Sequence, residues 1–357
     1  RPQTATSTPE RRSPEKPRST SLDNFSEVPM NNANSLADLA PTEDWCRPGA
    51  YAGTALARER QEVLDWAQAR IDELIGLAEA KEHFRTWRTA LEADRHRVGH
   101  GGAVGENHLV FLGAPGTAKK TFARVIGEVL FGWDMITRPE VTVVTAADIT
   151  TDGPSGSPAS RMQQACARAR GGVLFIDEAY QLVADTNGPC VGVEAIYALL
   201  TGMAAYRHEL VVIMAGYPRP MQDFLTVHAG LAARFPFTVH FASYTPADIV
   251  GIGRRFAARE RLVVHDAAWD LLGDEVIRLQ SIPYGNGTLL DVAGNARYIS
   301  EVIRTCQRAR TRRLHRLAPH RRDLGQLVRT NPGVLQVSTT DMERALTAVH
   351  PAIAVTT

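Results

Sequence analysis

The chain has 357 residues, of which 44% are apolar, and its formal net charge at neutral pH is +1. This length accommodates two or three domains with ordinary globular cores. The small net charge excludes a general electrostatic attraction to nucleic acid or membrane surfaces. The N-terminus has charges and prolines in place of an apolar signal sequence, and no run approaches the ~20 apolar residues of a membrane span.

Four cysteines are scattered along the chain and form no C-x-x-C pair: Cys46, Cys166, Cys190 and Cys306. This spacing indicates neither a zinc site nor a disulfide framework, and it is typical of a protein of the reducing cytoplasm. The sequence begins with Arg1 rather than Met, so a domain upstream of it stays open.

Residues 1–54 form the first predicted region. Pro, Ser and Thr make up twelve of its first twenty-one residues, a composition that buries too little apolar surface to offset the entropy of ordering. We expect a disordered linker, with a regulatory or docking tail as the alternative. The strings LARERQEVLDWAQARIDELIG and LAEAKEHFRTWRTALEADRHR follow and have the periodicity of two amphipathic helices.

Residues 55–243 continue as alternating strands and helices. Five apolar segments are predicted strands: HLVFLG, VTVVTAADI, GVLFIDEA, ELVVIMAGYP and FTVHFASY. Continuous apolar strands separated by helices are typical of a parallel sheet that is covered on both faces, so we predict a doubly wound α/β domain. After Tyr244 only helical patterns follow, and residues 244–357 are predicted to be a small all-helical domain.

The string GAPGTAKKT lies between a predicted strand and the helix after it, and nearly fits the phosphate-binding (Walker A) pattern G-x-x-x-x-G-K-[ST]. Such a P-loop presents backbone N–H groups and a helix N-terminus to phosphates, and Lys119 is placed to reach the β- and γ-phosphates. Ala118 replaces the second Gly of the pattern, and Lys120 replaces the Ser or Thr that binds Mg²⁺. The candidate nucleotide-binding residues of the loop are Gly113, Ala114, Pro115, Gly116, Thr117, Ala118, Lys119, Lys120 and Thr121.

The string GGVLFIDEA places an acidic pair, Asp177 and Glu178, at the end of a buried strand, as in a Walker B motif. The C-terminal ends of parallel strands are where open α/β sheets bind ligands. We expect Asp177 to hold Mg²⁺, directly or through water, and Glu178 to orient and deprotonate an attacking water molecule. A surface acidic pair is the alternative, but the order and spacing of the two motifs favour nucleotide binding.

From about Asp72 to Leu314 the sequence resembles the CbxX/CfxQ subfamily of AAA+ ATPases, and within it most closely the ATPase of type VII (ESX) secretion. The motifs that carry the resemblance are DELIGLAEAKEHF, HLVFLGAPGT, GGVLFIDEAYQLV, LVVIMAGYP, GLAARFPFTVHFASYTPADIV and DVAGNARYI. The subfamily also includes red-type Rubisco activases and a sporulation protein. The resemblance implies a P-loop NTPase (AAA+) core followed by a helical lid, ATP and Mg²⁺ as cofactors, and a protein partner.

The resemblance also implies roles for single residues. Leu74, Ile75 and Gly76 would lie near the adenine, and Arg297, in GNARY, matches the sensor-2 arginine. Arg234, in AARF, matches an arginine finger that acts on the γ-phosphate of a neighbouring subunit, which implies a homo-hexameric ring. Solvated surface charges are the alternative for both arginines.

Three features depart from the family pattern. Protonated Lys120 has no lone pair for Mg²⁺ and adds positive charge beside it, and Ala118 has less backbone freedom than Gly. Thr121 is one position late, and it could bind Mg²⁺ only if the loop shifted. The string DITTDGPSGSPAS lies where the family has a pore loop with an aromatic or aliphatic tip, and it offers Gly, Pro, Ser and Thr. We therefore expect ATP binding to persist more readily than fast hydrolysis.

Our main hypothesis is an ATPase that couples ATP hydrolysis to the remodelling or assisted secretion of a protein partner. A non-hydrolysing nucleotide-binding scaffold is the first alternative. The second is a nucleic-acid-associated AAA+ protein, because residues 297–322 contain nine arginines. This basic stretch lacks interleaved aromatic residues and also fits a solvated lid helix, so we do not expect nucleic acid as a partner.

Overall fold

The computed structural model describes residues 50–98, 107–151, 156–183 and 191–350. Residues Ala52–Thr357 form one compact unit, and the architecture below is that of this unit together with the start of its first helix. Residues 1–49 of the predicted tail and residues 152–155 of the predicted pore loop lie outside the described residues. Residues 50–54, which we assigned to the tail, belong to the first helix.

Strands and helices alternate in the first two thirds of this unit. The strands within the described residues are β1 (Leu109–Gly113), β2 (Val141–Thr145), β3 (Val173–Asp177), β4 (Val211–Gly216), β5 (Phe237–Phe241), β6 (Pro283–Tyr284) and β7 (Gly287–Thr288). The α-helices there are α1 (Ala50–Glu73), α2 (Ala78–Val98), α3 (Lys119–Gly132), α4 (Ala146–Thr150), α5 (Pro158–Ala169), α6 (Val191–Ala205), α7 (Pro218–Val227), α8 (Ala229–Ala232), α9 (Pro246–Arg259), α10 (Asp266–Gln280), α11 (Leu289–Ala293), α12 (Ala296–Leu317), α13 (Arg321–Thr330) and α14 (Thr339–Ala348). Short 3₁₀ helices span Ala179–Val183 and Pro332–Leu335.

The first five strands form one parallel sheet in the order β2-β3-β4-β1-β5. β1 lies between β4 and β5, with Leu109 opposite both Ile213 and Phe237. The strands β1, β3 and β4 are continuous apolar runs and are almost wholly buried, as expected for a sheet that is covered on both faces. The sheet confirms the predicted doubly wound α/β fold.

Two apolar cores lie on the two faces of this sheet, because successive side chains of a strand point to opposite faces. Phe111 of β1 belongs to the core that contains Phe122 of α3. Its neighbour Val110 belongs to the other core, with Met162 of α5 and Leu199 of α6. The helices therefore fix the sheet from both sides and leave its C-terminal edge for loops.

The strand β2 ends earlier than the string VTVVTAADI predicts. Residues 146–149 of that string belong to α4 instead. Thr145 caps this helix, because its hydroxyl accepts a hydrogen bond from the backbone N–H of Asp148, while the Asp148 carboxylate accepts one from the N–H of Thr145. This capping box stabilises a helix start at a point where the apolar pattern alone continues the strand.

The helical part, residues 244–350, contains α9 to α14. It agrees with the predicted helical region except for the short antiparallel pair of β6 and β7, in which Pro283 lies opposite Thr288. Cys306 of α12 packs against Met342 of α14, with the two sulfur atoms 3.6 Å apart. Across the residues that the structure describes, every helix is too short or too polar to cross a membrane.

Candidate functional site

A cavity of about 900 Å³ opens at the C-terminal ends of β1, β3 and β4, next to α9 and α12 of the helical part. The ends of neighbouring parallel strands meet at one edge of a sheet, which brings the loop after β1 beside the acidic pair after β3. Most of the predicted site residues line this cavity: Leu74, Ile75, Gly113, Pro115, Gly116, Ala118, Lys119, Lys120, Thr121, Asp177, Glu178 and Arg297.

Four predicted site residues do not line the cavity. Gly76 and Ala114 are next in sequence to residues that line the cavity. The Thr117 hydroxyl is buried and donates a hydrogen bond to the Ala114 carbonyl at 2.8 Å, so it stabilises the loop on the side away from the cavity. Arg234 is exposed and lies near the buried imidazole of His108. Burial, with a smaller effect of Arg234, lowers the pKa of that imidazole to about 4.

The P-loop, residues 113–121, owes its shape to two residues with left-handed backbone conformations. Gly116 has φ +74°, and a Cβ there would lie 1.8 Å from the Gly294 carbonyl oxygen, so only Gly fits. Ala118 has φ 63°, which costs an L-residue about 1–2 kcal/mol. The loop therefore adopts the left-handed turn at residue 118 although Ala replaces Gly there.

Lys119 begins α3 and is buried within the loop. Its Nζ donates hydrogen bonds to the carbonyl oxygens of Gly113, at 2.8 Å, and Ala114, at 2.7 Å. Burial lowers the pKa of Lys119 to about 8, against the opposing effect of Asp177. The ammonium group is thus held at the base of the loop, and Lys119 also lines the cavity.

Lys120 faces the acidic pair instead. Its Nζ lies 3.0 Å from Oδ2 of Asp177, and both side chains are partly exposed to the cavity. Glu178 follows Asp177 with φ 53°, a strained conformation for a residue with a side chain. This left-handed conformation turns the chain at the end of β3, where Glu178 also lines the cavity.

This arrangement does not fit a Mg²⁺ site. Mg²⁺ binds oxygen ligands in a nearly octahedral geometry, and a lysine ammonium offers none. The carboxylate of Asp177, which we predicted to be the metal ligand, is paired with Lys120.

The helical part closes the cavity from the other side. Asn295, at the start of α12, is buried and donates from Nδ2 to the Pro115 carbonyl oxygen at 3.2 Å and to Asp291 Oδ1 at 3.1 Å. Arg297 lines the cavity one residue after Ala296. The P-loop is therefore hydrogen-bonded to the helix that carries Arg297.

Three residues on this side of the cavity were missed by the sequence motifs: Arg255 and Arg259, which line it, and Asn295, which contacts the P-loop. Arg255 and Arg259 line the cavity one helical turn apart on α9, and Arg255 also pairs with Glu73 Oε2 at 3.2 Å. Their spacing of four residues indicates a shared helix face. The sequence does not say that this face meets the P-loop. Asn295 lies in the quoted motif GNARY, from which we singled out only Arg297.

Residues 109–241 match the family described as AAA, ATPase family associated with various cellular activities. The match begins with the first residue of β1 and ends with the last residue of β5, so it contains the P-loop and the acidic pair. These residues form an AAA domain.

Similar proteins cover more of the chain than the AAA domain. The ESX-1 secretion system protein EccA1 of Mycolicibacterium smegmatis is 34% identical over 319 residues, which cover 87% of this chain and 54% of that protein. EccA1 of Mycobacterium tuberculosis is 32% identical over 316 residues, covering 87% and 54%. The ESX-3 secretion system protein EccA3 of Mycobacterium leprae is 31% identical over 311 residues, covering 85% and 47%. The chain thus spans about half the length of these relatives.

These matches confirm the resemblance to AAA ATPases and to proteins of ESX secretion that we inferred from the sequence motifs. The chain contains an AAA ATPase domain and is related to the ESX secretion system proteins EccA1 and EccA3. An AAA domain implies nucleotide binding, and the cavity beside the P-loop is the candidate site for it.

Proposed function

We propose that the AAA domain binds ATP in this cavity, and that the chain is an ATPase that remodels a protein partner or assists its secretion. Support for ATP binding comes from one observation: the P-loop, the acidic pair and Arg297 meet around a cavity of about 900 Å³. Ligand-binding cavities typically span about 300–1,000 Å³.

The proposed roles follow from the positions of the side chains. The N–H groups at the start of α3, with Lys119, would bind the phosphates, and Arg297 would add a second cation from the helical part. Leu74 and Ile75 supply apolar surface for the base. Glu178 would orient the attacking water molecule.

The protein partner and the assembly are proposals that rest on the relatives. They are named as secretion system proteins, so we propose that the partner is a protein. We also propose that the chain forms a homo-hexamer in the cytoplasm. Arg234 is exposed and lies outside the cavity of its own chain. This position leaves its guanidinium available to a neighbouring subunit, as an arginine finger requires.

The second candidate is a nucleotide-binding scaffold that does not hydrolyse ATP. It is favoured by the ion pair between Lys120 and Asp177, because a hydrolytic site of the expected kind would keep that carboxylate for a metal ion. The partner class stays the same in both candidates.

The nucleic-acid alternative loses support from the contacts of α12. Several of its arginines have partners within the chain: Arg304 and Arg308 with Glu301, Arg310 with the Leu335 carbonyl, and Arg313 with Asp341. These contacts lower the charge that is free for phosphates, so we do not propose nucleic acid binding.

The first test is ATP binding by the Lys119→Met variant, measured by isothermal titration calorimetry. We expect its ATP affinity to fall by about 100-fold, equivalent to about 2.7 kcal/mol, because charge-assisted contacts to the phosphates are lost. The matched control is Arg124→Met, which removes an exposed cation from the same helix and should leave the affinity unchanged.

Steady-state hydrolysis then separates the two candidates. The ATPase is supported if the parent hydrolyses ATP and the Glu178→Gln variant binds ATP without hydrolysing it. Binding without turnover supports the scaffold. A parent that binds neither ATP nor ADP overturns both.

A further inference from the structure

The side chain of Lys120 reaches the place where the P-loop pattern puts a metal ligand, and it makes an ion pair there. Lys120 is the second residue of α3, and Asp177 is the last residue of β3. The Lys120 Nζ and the Asp177 Oδ2 lie 3.0 Å apart. A positive charge is thus anchored beside the P-loop by the chain itself.

This ammonium group and Mg²⁺ would compete for the same carboxylate. The cation that already sits at Asp177 repels a second one, and it supplies no oxygen in return. A hydroxyl at residue 120, which the pattern would provide, is absent from the sequence. At residue 120 this chain therefore has a positive charge where the pattern has a metal ligand.

The charges that line the cavity also suit a nucleotide without a metal ion. Five cationic side chains line it, namely Lys119, Lys120, Arg255, Arg259 and Arg297. Three acidic side chains line it, namely Glu73, Asp177 and Glu178. Two of the acids are already paired, Glu73 with Arg255 and Asp177 with Lys120. The excess of positive charge faces a ligand that carries several negative charges when Mg²⁺ does not neutralise part of them.

We propose that the cavity binds metal-free nucleoside polyphosphates, and that the Lys120 ammonium, held by Asp177, neutralises phosphate oxygens in place of Mg²⁺. This inference rests on the proposed function, in which the cavity binds ATP. Lys120 then acts as a built-in cation that specifies the form of the ligand. A single ammonium group cannot bridge two phosphates with the fixed geometry of Mg²⁺, so metal-free binding favours the second candidate, the scaffold that binds ATP without hydrolysing it.

The test compares ATP and ADP binding in excess EDTA and in excess Mg²⁺ by isothermal titration calorimetry. We expect the parent to bind ATP in EDTA at least as tightly as in Mg²⁺. For Lys120→Thr, which removes the cation and restores the hydroxyl, we expect the affinity in EDTA to fall by about tenfold and to recover in Mg²⁺.

The control variant is Arg124→Thr, which removes one exposed positive charge from α3 about one turn after Lys120. It should bind as the parent does in both buffers, which separates a local role of Lys120 from the net charge of the protein. Thermal unfolding of each variant in the absence of nucleotide verifies that it is folded.

Two results would overturn the inference while leaving the proposed function intact: a parent that binds ATP only in Mg²⁺, or a Lys120→Thr variant that binds in EDTA as tightly as the parent. A parent that binds no nucleotide in either buffer overturns the proposed function, and the inference with it.

Discussion

Two aspartates of this chain each face a cation, one in the helical part and one in the cavity, and their surroundings differ. Asp341 of α14 is fully buried and pairs with Arg313 of α12 at 2.9 Å. Asp177 of β3 pairs with Lys120 at 3.0 Å, but the Lys120 side chain is 36% exposed. Similar distances therefore occur in two different settings, one closed to water and one open to a ligand.

The buried pair has many further contacts. Asp341 Oδ2 also accepts from the backbone N–H and the hydroxyl of Ser338, which caps α14. Arg313 also donates to the carbonyl oxygens of Val334 and Gln336. Burial raises the pKa of Asp341, but the hydrogen bonds from Arg313 and Ser338 outweigh it and hold the pKa below its ordinary value. Each charge is fixed by several partners, so this pair determines the local fold.

The pair in the cavity is placed differently. Both of its side chains line a space that is large enough for a ligand. Ion pairs that remain accessible to water contribute little to stability. The comparison indicates that the pair of Asp341 and Arg313 holds α12 and α14 together, whereas the pair of Asp177 and Lys120 is available for binding.

The largest effect that we expect is from Asp341→Ala. It should lower the free energy of unfolding by about 3–5 kcal/mol, because it leaves the partly buried guanidinium of Arg313 without its carboxylate and removes the Asp341 half of the capping box with Ser338. Urea denaturation followed by circular dichroism measures this change.

The control is Asp270→Ala, in which an exposed aspartate of α10 is removed. Its effect should stay within about 0.5 kcal/mol. An equal loss in both variants would mean that the Asp341 contacts do not distinguish it from a surface aspartate.

The sequence predicts the sheet well because its strands are buried on both faces and appear as continuous apolar runs, such as residues 173–177. It predicts the end of β2 less well. The capping box of Thr145 and Asp148 starts α4 there, and this local hydrogen bonding overrides the apolar pattern.

The candidate site was predictable where a motif is local and less so where contacts join distant segments. The P-loop and the acidic pair are local motifs, and they line one cavity. That Lys120 replaces a metal ligand is visible in the sequence. Its pairing with Asp177 depends on how α3 packs over β3, as the contact of Asn295 with Pro115 depends on how α12 meets the loop. The roles of all the predicted site residues, including Arg234 and Gly76, stay predictions.

A smaller effect is expected from pH on ATP binding, through Lys119. Burial lowers the pKa of this amine to about 8, and phosphates in the cavity would raise it, so binding above pH 8 must take up a proton. We expect ATP affinity to fall by up to about tenfold between about pH 7 and pH 9. Phosphate groups lose their last proton near pH 6, so the measurement is made above pH 7, where Lys119 is the group that titrates.

The effect of pH through Lys119 has the opposite direction for folding stability. The unfolded chain binds more protons at Lys119 than the folded chain does between pH 8 and the ordinary lysine pKa, so the contribution of Lys119 to stability rises with pH in that range.

Calorimetric titrations at about pH 8.5, in two buffers with different ionisation enthalpies, count the protons taken up on ATP binding. An uptake of zero would show that Lys119 stays charged in the free protein.

The smallest expected effect is that of Lys120→Thr on stability without nucleotide. We expect the free energy of unfolding to change by less than about 1 kcal/mol, because the pair that it breaks is partly exposed and water screens the charge left on Asp177. Urea denaturation in EDTA, beside Asp341→Ala, gives the comparison directly. A loss as large as that of Asp341→Ala would mean that the cavity pair also holds the fold, and any change in nucleotide binding by Lys120→Thr would then report damage to the P-loop. A small loss of stability, together with the expected fall in ATP affinity in EDTA, would show that the cation at residue 120 serves nucleotide binding rather than the fold.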